Sequence, residues 1–349
     1  MTEWHTLAAS EVRIRNIAKP SSALWDRLAR ENTYATFYHT RAWHEAGSAR
    51  HIPQQGGASK VVADPLLVRF TDGIDVVIPR VRLPRGLGLF KRHQSSPQGR
   101  YGGFLSSRPL GDAHVAAIWK VLLRHSIEWR INPLLPLRPP SASEIRREST
   151  VILDLRQEFE NIRAGWRRAG GGIPENVGRA KQSGVSVRHA ARFDDYLAYW
   201  RISTDSARFW MEPAAGQFEM MWALHQAAPE SVQLWVAERG GKMLCGQLYL
   251  VHGHHIAIFD RRAGEEALDV CAPTFLDYTM IQHFSDSGRW WYDMGESGGN
   301  ESARAYKLRF CSQELDTSVH LHFIPAFQIT KRLIHRLRFG AKSTAARAD

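Results

Sequence analysis

The chain has 349 residues, enough for two domains of ordinary size, and its 44% hydrophobic and 23% charged residues exclude a disordered protein. Lys and Arg number 46 against 35 Asp and Glu, which gives a formal net charge of +11. This excess of positive charge indicates a polyanionic partner: RNA, a nucleotide diphosphate, coenzyme A or an anionic membrane surface.

The apolar runs and the cysteines bear on the cellular compartment. The most apolar runs are far shorter than the ~20 residues that a transmembrane helix needs. The N-terminal segment lacks the basic and apolar regions of a signal peptide. Cys245, Cys271 and Cys311 are widely spaced and form no C-x-x-C pair, which favours a reducing environment over a disulfide framework or a zinc site. We therefore expect a cytoplasmic protein.

The first half is predicted to combine helices with hairpin-linked strands. The expected elements are helices at 23–30 and 41–49, strands at 65–70 and 73–79, and a closing helix at 113–129. The Pro-, Gly- and Arg-rich stretch 82–109 predicts one long loop, and loops of that length are usually functional. Tyr101 in this loop is therefore a candidate substrate-binding residue. The prolines of 133–140 then indicate a bridge between domains.

The second half is predicted to continue the same mixture. The expected helices are at 158–168, 193–203, 216–228 and 272–287, and the expected strands at 150–155, 186–188, 233–239, 243–251 and 255–260. Gly240-Gly241 indicates a hairpin turn between two of these strands. Helices mixed with hairpin-linked strands predict an α+β (mixed α/β) fold.

The segment GRWWYDMGESGGNESARAYKLRF at 288–310 is the most informative part of the chain. Its aromatic residues predict a buried strand that ends at Asp293, and a Gly/Ser-rich turn follows. Arg304, Lys307 and Phe310 then recur at helical spacing. Such a strand, loop and helix place charged groups at a strand end, where α/β-type sheets bind ligands.

Two basic tracts are free of Asp and Glu, at 76–111 and 317–348. Within the second tract, 326–339 predicts an amphipathic helix with Ile329, Leu333 and Leu337 on one face. Such a helix either packs on its own domain or lies on a membrane surface or RNA. We expect it to pack on the protein, with peripheral membrane contact as the alternative.

Other motifs point to no metal and no tightly bound cofactor. Arg167-Arg168-Ala169-Gly170-Gly171-Gly172 fits an R-x-x-G-x-G phosphate cradle, but it follows a helical pattern where a cradle follows a strand. A break between two helices is the preferred interpretation. His252-Gly253-His254-His255 predicts a turn, because no Cys or carboxylate stands at ligand spacing.

Five stretches of the second half, in this order, resemble the signature of Fem-type (FemABX-like) acyltransferases, relatives of the GNAT fold. They are VILDL at 151–155, NVGRAKQSGV at 176–185, TDSAR at 204–208, AERGGK at 237–242 with Gly246, and YDMGE at 292–296 followed by YKLRF at 306–310. FYHTRAW at 37–43 is similar to the family's opening motif. Tyr306 stands where the family has Phe, and Cys311 where glycine is common.

The resemblance implies tandem GNAT-like domains, each a mixed, mostly antiparallel sheet flanked by helices, facing a shared cleft. We assign 1–145 to a degenerate N-terminal domain, 146–315 to the acyltransferase domain and 316–349 to a basic tail. The implied reaction forms an amide bond by transfer of an aminoacyl group from aminoacyl-tRNA, or an acyl group from acyl-coenzyme A. The implied acceptor is an amine of a cell-envelope or polysaccharide precursor.

The resemblance and the charges together give candidate site residues. Lys307 would stabilise developing negative charge or a phosphate, and Asp293 would accept the amine proton or orient the acceptor. The candidate substrate-binding residues are Arg208, Arg179, Lys181, Tyr101 and Tyr306. The alternative is a non-catalytic protein that binds RNA or an envelope precursor on a GNAT-like scaffold.

Overall fold

The computed structural model describes residues 12–48, 51–54, 57–85, 90–135, 144–206, 217–310 and 312–325. Arg208 and the helix predicted at 326–339 lie outside these residues. The chain divides into two compact units. The first contains the described residues up to Leu28, from Ser48 to Arg147 and from Ser318 onward; the second contains Ala29–Gly47 and Glu148–Thr317. The placement of residues 29–47 with the second unit was not predicted.

The first part of the chain forms eleven strands and three helices within the residues described up to 146. They are β1 (Ile14–Ala18), α1 (Ser22–Glu31), α2 (Arg41–Ser48), β2 (His51–Gln54), β3 (Gly57–Lys60), β4 (Val62–Ala63), β5 (Leu66–Phe70), β6 (Asp75–Ile78), β7 (Val81–Arg85), β8 (Phe90–Gln94), β9 (Leu105–Ser106), α3 (Asp112–Leu122), β10 (Ser126–Arg130) and β11 (Glu144–Arg146).

The rest of the chain follows the predicted elements closely. It forms β12 (Ser149–Asp154), α4 (Phe159–Ala169), α5 (Ile173–Gln182), β13 (Ser186–Ala190), α6 (Phe193–Ser206), α7 (Gln217–Ala227), β14 (Val232–Arg239), β15 (Lys242–His252), β16 (His255–Ala263), α8 (Glu265–Asp269), α9 (Ala272–Asp286), β17 (Trp291–Glu296), α10 (Glu301–Leu308), β18 (Gln313–Asp316) and β19 (Val319–His322).

The first unit is built on two larger sheets. One has the order β1-β5-β6-β9 and the other the order β11-β19-β10-β8-β7-β4. An apolar cluster that includes Phe70, Ile118, Trp119 and Trp129 packs α3 against strand residues. The apolar stripe of α3 thus finds its partner within this unit.

Two sequence predictions for the first unit are wrong. The stretch 82–109 is not one loop, because β7, β8 and β9 lie in it. The helix predicted at 113–129 ends at Leu122, and Ser126–Arg130 is strand β10. β10 pairs with β8 and β19, which are distant in sequence. The ring of Trp129 in β10 packs on the ring of Trp119 in α3, with centroids 5.3 Å apart. These long-range contacts override the local helical pattern.

The second unit contains one seven-stranded sheet of order β13-β14-β15-β16-β17-β12-β18. Every neighbouring pair is antiparallel except β16 and β17, which are parallel. A core cluster that includes Trp166, Val177, Leu276 and Tyr292 packs α4, α5 and α9 against the sheet. The predicted hairpin at Gly240-Gly241 is confirmed, and both glycines have positive φ as its turn requires.

The glycine run at 170–172 separates two helices, as predicted. Gly170 ends α4 and Gly172 precedes α5, both in the left-handed region that favours glycine. The strand predicted at Trp290–Asp293 is confirmed as β17, which lies within the sheet. Its predicted end at Asp293 is wrong: β17 continues to Glu296 because it pairs with β12 as far as that residue. The mixed α+β fold class is confirmed.

Candidate active site

The parallel strands β16 and β17 part at their carboxyl ends. Their pairing joins His255–Ala257 to Trp291–Asp293, but β16 continues to Ala263 and β17 to Glu296. Beyond Ala257 and Asp293, the facing edges no longer pair with each other. The crossover helix α9 connects the two strands. In parallel units of this kind, ligands bind at the carboxyl ends of the strands.

Lys307 lies at this open edge. The Asn300 side chain caps α10 by accepting from the backbone N–H of Ala303 at 3.0 Å, which fixes the start of the helix. Lys307, in the last turn, is 7% exposed. Its Nζ donates to the carbonyl oxygens of Gly295 at 2.9 Å and Glu296 at 2.7 Å. These bonds use two ammonium protons, and the third has no partner among the residues that the structure describes.

The surroundings of Lys307 alter its ionisation. Burial first, and the Arg261 guanidinium second, lower the pKa of Lys307 to about 8. The carboxylates of Asp293 and Asp277 act in the opposite direction. The ammonium is therefore held by carbonyl oxygens and carboxylates but gives up its proton more readily than an exposed lysine.

Asp293 orders the turn that holds Lys307. It is 1% exposed, and its Oδ1 accepts hydrogen bonds from Thr150 Oγ1 at 2.6 Å and from the Gly295 N–H at 2.9 Å. Gly295 has φ +78°, a conformation that suits glycine, and its carbonyl oxygen accepts from Lys307. Asp293 therefore acts on Lys307 through the backbone of one residue.

A buried histidine lies beside Asp293 and favours the charged form of its carboxyl group. His255 Nε2 lies 3.4 Å from Asp293 Oδ2, long for a hydrogen bond but close for an electrostatic contact. Burial would raise the pKa of Asp293, but His255, Thr150 and the Gly295 N–H outweigh that effect and lower it. Asp293 is consequently a carboxylate, enclosed by donors and away from solvent.

Tyr306, beside Lys307, belongs to a buried network centred on Asp277. The Asp277 carboxylate is 0% exposed and accepts from five groups. Its donors are Arg261 Nη1 at 2.7 Å and Nη2 at 3.1 Å, Tyr306 Oη at 2.7 Å, Tyr292 Oη at 3.0 Å and Gln247 Nε2 at 3.1 Å. The network ties α9 and α10 to strands β15, β16 and β17.

The ionisation of this network is fixed by burial and by Asp277. Burial opposes the charge of Arg261, but Asp277 outweighs it and raises the pKa of Arg261. Burial first, and Asp277 second, raise the pKa of Tyr306 well above its ordinary value. Tyr306 thus remains a phenol that donates to Asp277, and it is not itself a proton acceptor at neutral pH.

The structure brings together three of the predicted site residues: Asp293, Tyr306 and Lys307. Arg179 and Lys181 lie on α5 with exposed side chains; Arg179 Nη2 donates to the Asp269 carbonyl at 3.2 Å, and Lys181 Nζ lies 5.6 Å from the Phe275 ring centroid. Tyr101 is buried in the first unit. The predicted Arg208 lies outside the described residues.

Sequence reasoning missed Asp277 and Arg261. A signal for Asp277 was available, because it shares the buried stripe of α9 with Met280, Ile281 and Phe284. An acid at such a position implies a buried partner. Arg261 follows the apolar run Ile256–Phe259 of β16, where Asp260, Arg261 and Arg262 stand together in a strand.

The described residues contain no group of three or more His, Cys, Asp or Glu side chains placed to hold a metal ion. His252 Nε2 contacts the Ala29 carbonyl at 2.8 Å, and His254 stacks on Trp290 at 3.7 Å. Among the same residues, no helix is long and apolar enough to cross a membrane.

No protein-family profile matches the chain, and no curated protein is similar to it in sequence. Solved structures are similar in fold. FemX aligns at a TM-score of 0.64 and 9% identity, over 90% of this chain and 99% of that chain. A C-terminal domain assigned to a lysylphosphatidylglycerol synthetase of Agrobacterium fabrum aligns at 0.52 and 11%, over 91% and 98%. The predicted FemABX-like architecture is confirmed at the level of the fold.

Proposed function

We propose that the second unit catalyses amide-bond formation by acyl transfer, with Lys307 as the residue that stabilises the tetrahedral oxyanion. The observation that supports this is the fixed ammonium of Lys307 at the open edge of β16 and β17. Two carbonyl oxygens hold it at 2.9 and 2.7 Å, and one proton remains for a substrate oxygen. A donor positioned before the reaction starts is most effective on charge that develops in the transition state.

In the proposed step, a neutral amine of the acceptor attacks the ester carbonyl of the donor. A C–N bond forms, the carbonyl oxygen becomes an oxyanion beside Lys307, and the C–O bond to the leaving hydroxyl breaks. The amine loses one proton and the leaving oxygen gains one, so the step is balanced. Asp293 has the role of a positioning residue here, because its hydrogen bonds reach Lys307 through Gly295 and its charge favours the Lys307 ammonium.

The connection between β16 and α9 favours aminoacyl-tRNA over acyl-coenzyme A as the donor. A helix N-terminus after a parallel strand is the usual place for a pyrophosphate. Here that connection contains the short helix α8, with Glu265 and Glu266 in its first turn and Asp269 at its end. Glu266 pairs with Arg239 and Lys242, but the exposed carboxylates of Glu265 and Asp269 would repel a pyrophosphate from α9. We propose an amine of a cell-envelope precursor as the acceptor.

A transfer assay tests the proposal. The purified chain is incubated with either a labelled aminoacyl-tRNA pool or labelled acetyl-coenzyme A. UDP-linked muramyl pentapeptide would serve as the amine acceptor. We expect transfer from aminoacyl-tRNA, its loss in Lys307→Met, and its retention in the matched control Lys242→Met, whose Nζ is exposed and pairs with Glu266. Transfer from acetyl-coenzyme A alone would refute the donor assignment. Tight tRNA binding without transfer from either donor would favour the non-catalytic RNA-binding alternative.

A further inference from the structure

Three arginines near the open edge have unpaired guanidinium groups. Arg167 and Arg168 end α4, and Arg309 follows α10; all three are exposed. Their guanidinium groups make no ion pair or hydrogen bond within the part of the chain that the structure describes. Many other arginines of the second unit are paired with carboxylates: Arg156, Arg163, Arg188, Arg239, Arg261, Arg262 and Arg304. Arg167, Arg168 and Arg309 therefore form one group of unpaired cations, besides Arg179 and Lys181 on α5, which pair with no carboxylate among the described residues.

Hydrogen bonds and packing hold the two helix ends together. Trp166 Nε1 donates to the Phe310 carbonyl at 2.9 Å, and the two rings pack with centroids 5.8 Å apart. Between the helix ends lies Gly171. A Cβ at Gly171 would lie 3.4 Å from Arg309 Cβ and 3.5 Å from its carbonyl oxygen, so this backbone packs directly on Arg309. The three arginines thus belong to one surface.

The same surface extends to Tyr306. The Arg309 guanidinium lies 5.0 Å from the Tyr306 ring centroid, and Tyr306 is the chain neighbour of Lys307. The closest acids along the chain are Glu160, which pairs with Arg163, Glu314, which pairs with Arg304, and Glu175 in the first turn of α5. Three unpaired cations against one unpaired acid leave the surface positive.

We propose that Arg167, Arg168 and Arg309, with Gly171 between them, form a phosphate-binding strip for the RNA backbone of the donor next to its reacting ester. The position beside the ester rests on the proposed function, whereas RNA binding by the strip does not. Exposed guanidinium groups suit phosphodiesters because they bind two phosphate oxygens at once and release condensed counterions on binding. The glycine leaves the strip without a side chain that would separate the arginines from the backbone of the nucleic acid.

A binding measurement with deacylated total tRNA tests the strip, because it requires no acyl transfer. Binding is measured by filter retention between 50 and 200 mM salt, roughly the range over which phosphate contacts weaken. We expect Arg168→Gln and Arg309→Gln each to lower the log–log salt slope by about one and the affinity by about tenfold. The double variant should add the two effects. The control Lys120→Gln removes an exposed charge from α3 and should change affinity less than about twofold.

Several outcomes would overturn the strip. Variants that bind tRNA as the wild type does, with unchanged salt slope, would show that the arginines only compensate the carboxyl ends of α4 and α10. Equal losses in Lys120→Gln would show unspecific attraction by net charge. Displacement of tRNA by coenzyme A at micromolar concentration would assign the arginines to a nucleotide diphosphate instead. A strip that binds tRNA as expected would stand even if acyl transfer were absent, so the two proposals fail separately.

Discussion

The two ends of β17 differ in what they offer a ligand. The amino end lies beside a shallow groove of about 440 Å³, lined by Leu155, Phe159, Trp290 and the loops around them. Both of its cations have partners, because Arg156 pairs with Asp154 and Arg289 Nη1 donates to the Gly253 carbonyl, although Arg289 Nε has no partner among the described residues. At the carboxyl end, one ammonium proton of Lys307 has no partner among the described residues, and β16 and β17 no longer pair with each other.

This difference lies in the charged groups at the two ends of the strand. A groove whose charges are satisfied by the protein has little to offer a transition state, whereas a fixed and partly unsatisfied ammonium does. The His254 ring also covers one face of the Trp290 ring, with the two ring centroids 3.7 Å apart. We therefore place the reaction at the carboxyl end, and the comparison can be tested by equivalent changes at both ends.

The largest expected effect is on stability at the carboxyl end. Asp277→Ala leaves Arg261 buried without its partner, and breaking a buried ion pair in this way costs about 3–5 kcal/mol. Asp286→Ala, nine residues further along the same helix and exposed beside the groove, should change stability by less than ~0.5 kcal/mol. Urea unfolding followed by tryptophan fluorescence measures both. Equal losses would show that the Asp277 network is not a special anchor.

The next effect is on rate. Lys307→Met should lower kcat by about 10²–10³, the loss expected when one oxyanion donor is removed, and KM should change far less. At the amino end, Trp290→Phe should leave kcat within about twofold. Steady-state kinetics with aminoacyl-tRNA separate the two parameters. A raised KM with unchanged kcat would instead assign Lys307 to ground-state binding of a phosphate.

The smallest effect is a change in pH dependence. Because the pKa of Lys307 is lowered to about 8, its ammonium is present below that pH and is lost above it. The attacking amine must be neutral, so activity should rise with pH and then fall above about pH 8. A pH–rate profile of kcat between pH 6 and 10 (roughly two units on either side) measures this alkaline limb.

Asp293→Asn sharpens the same measurement. The Asp293 carboxylate raises the pKa of Lys307, so its removal should move the alkaline limb to lower pH. The groove variant Asp286→Asn should leave the limb in place. An unmoved limb in Asp293→Asn would show that Asp293 supports the fold without influencing Lys307.

Much of the second unit could be predicted from sequence because its signals are local. The Gly240-Gly241 turn, the periodicity of α9 and the Asn300 cap each depend on residues within a few positions of one another. The YDMGE and YKLRF stretches likewise identified β17, Tyr306 and Lys307. Pattern and structure agree where one segment suffices to define the element.

Tertiary contacts decided what the sequence left open or predicted wrongly. Residues 126–130 follow a helix without a strong break, and they became a strand only because β8 and β19 pair with them. The loop predicted at 82–109 contains strands for the same reason, since β7 and β8 pair with each other across it and β9 pairs with β6. Strand pairing depends on partners far along the chain, which a local pattern does not contain.

The sequence by itself determined that an aromatic strand carries Asp293 and that a lysine follows in the next helix, but not where the strand ends or what each charged group contacts. Burial made Asp293 a residue that orders the Gly295 turn, and it joined Asp277 to Arg261, sixteen positions away. The lowered pKa of Lys307 arises only when the fold removes water from its ammonium and brings Arg261 near it. Residue type is a property of the sequence, whereas desolvation and charge proximity exist only in the folded chain.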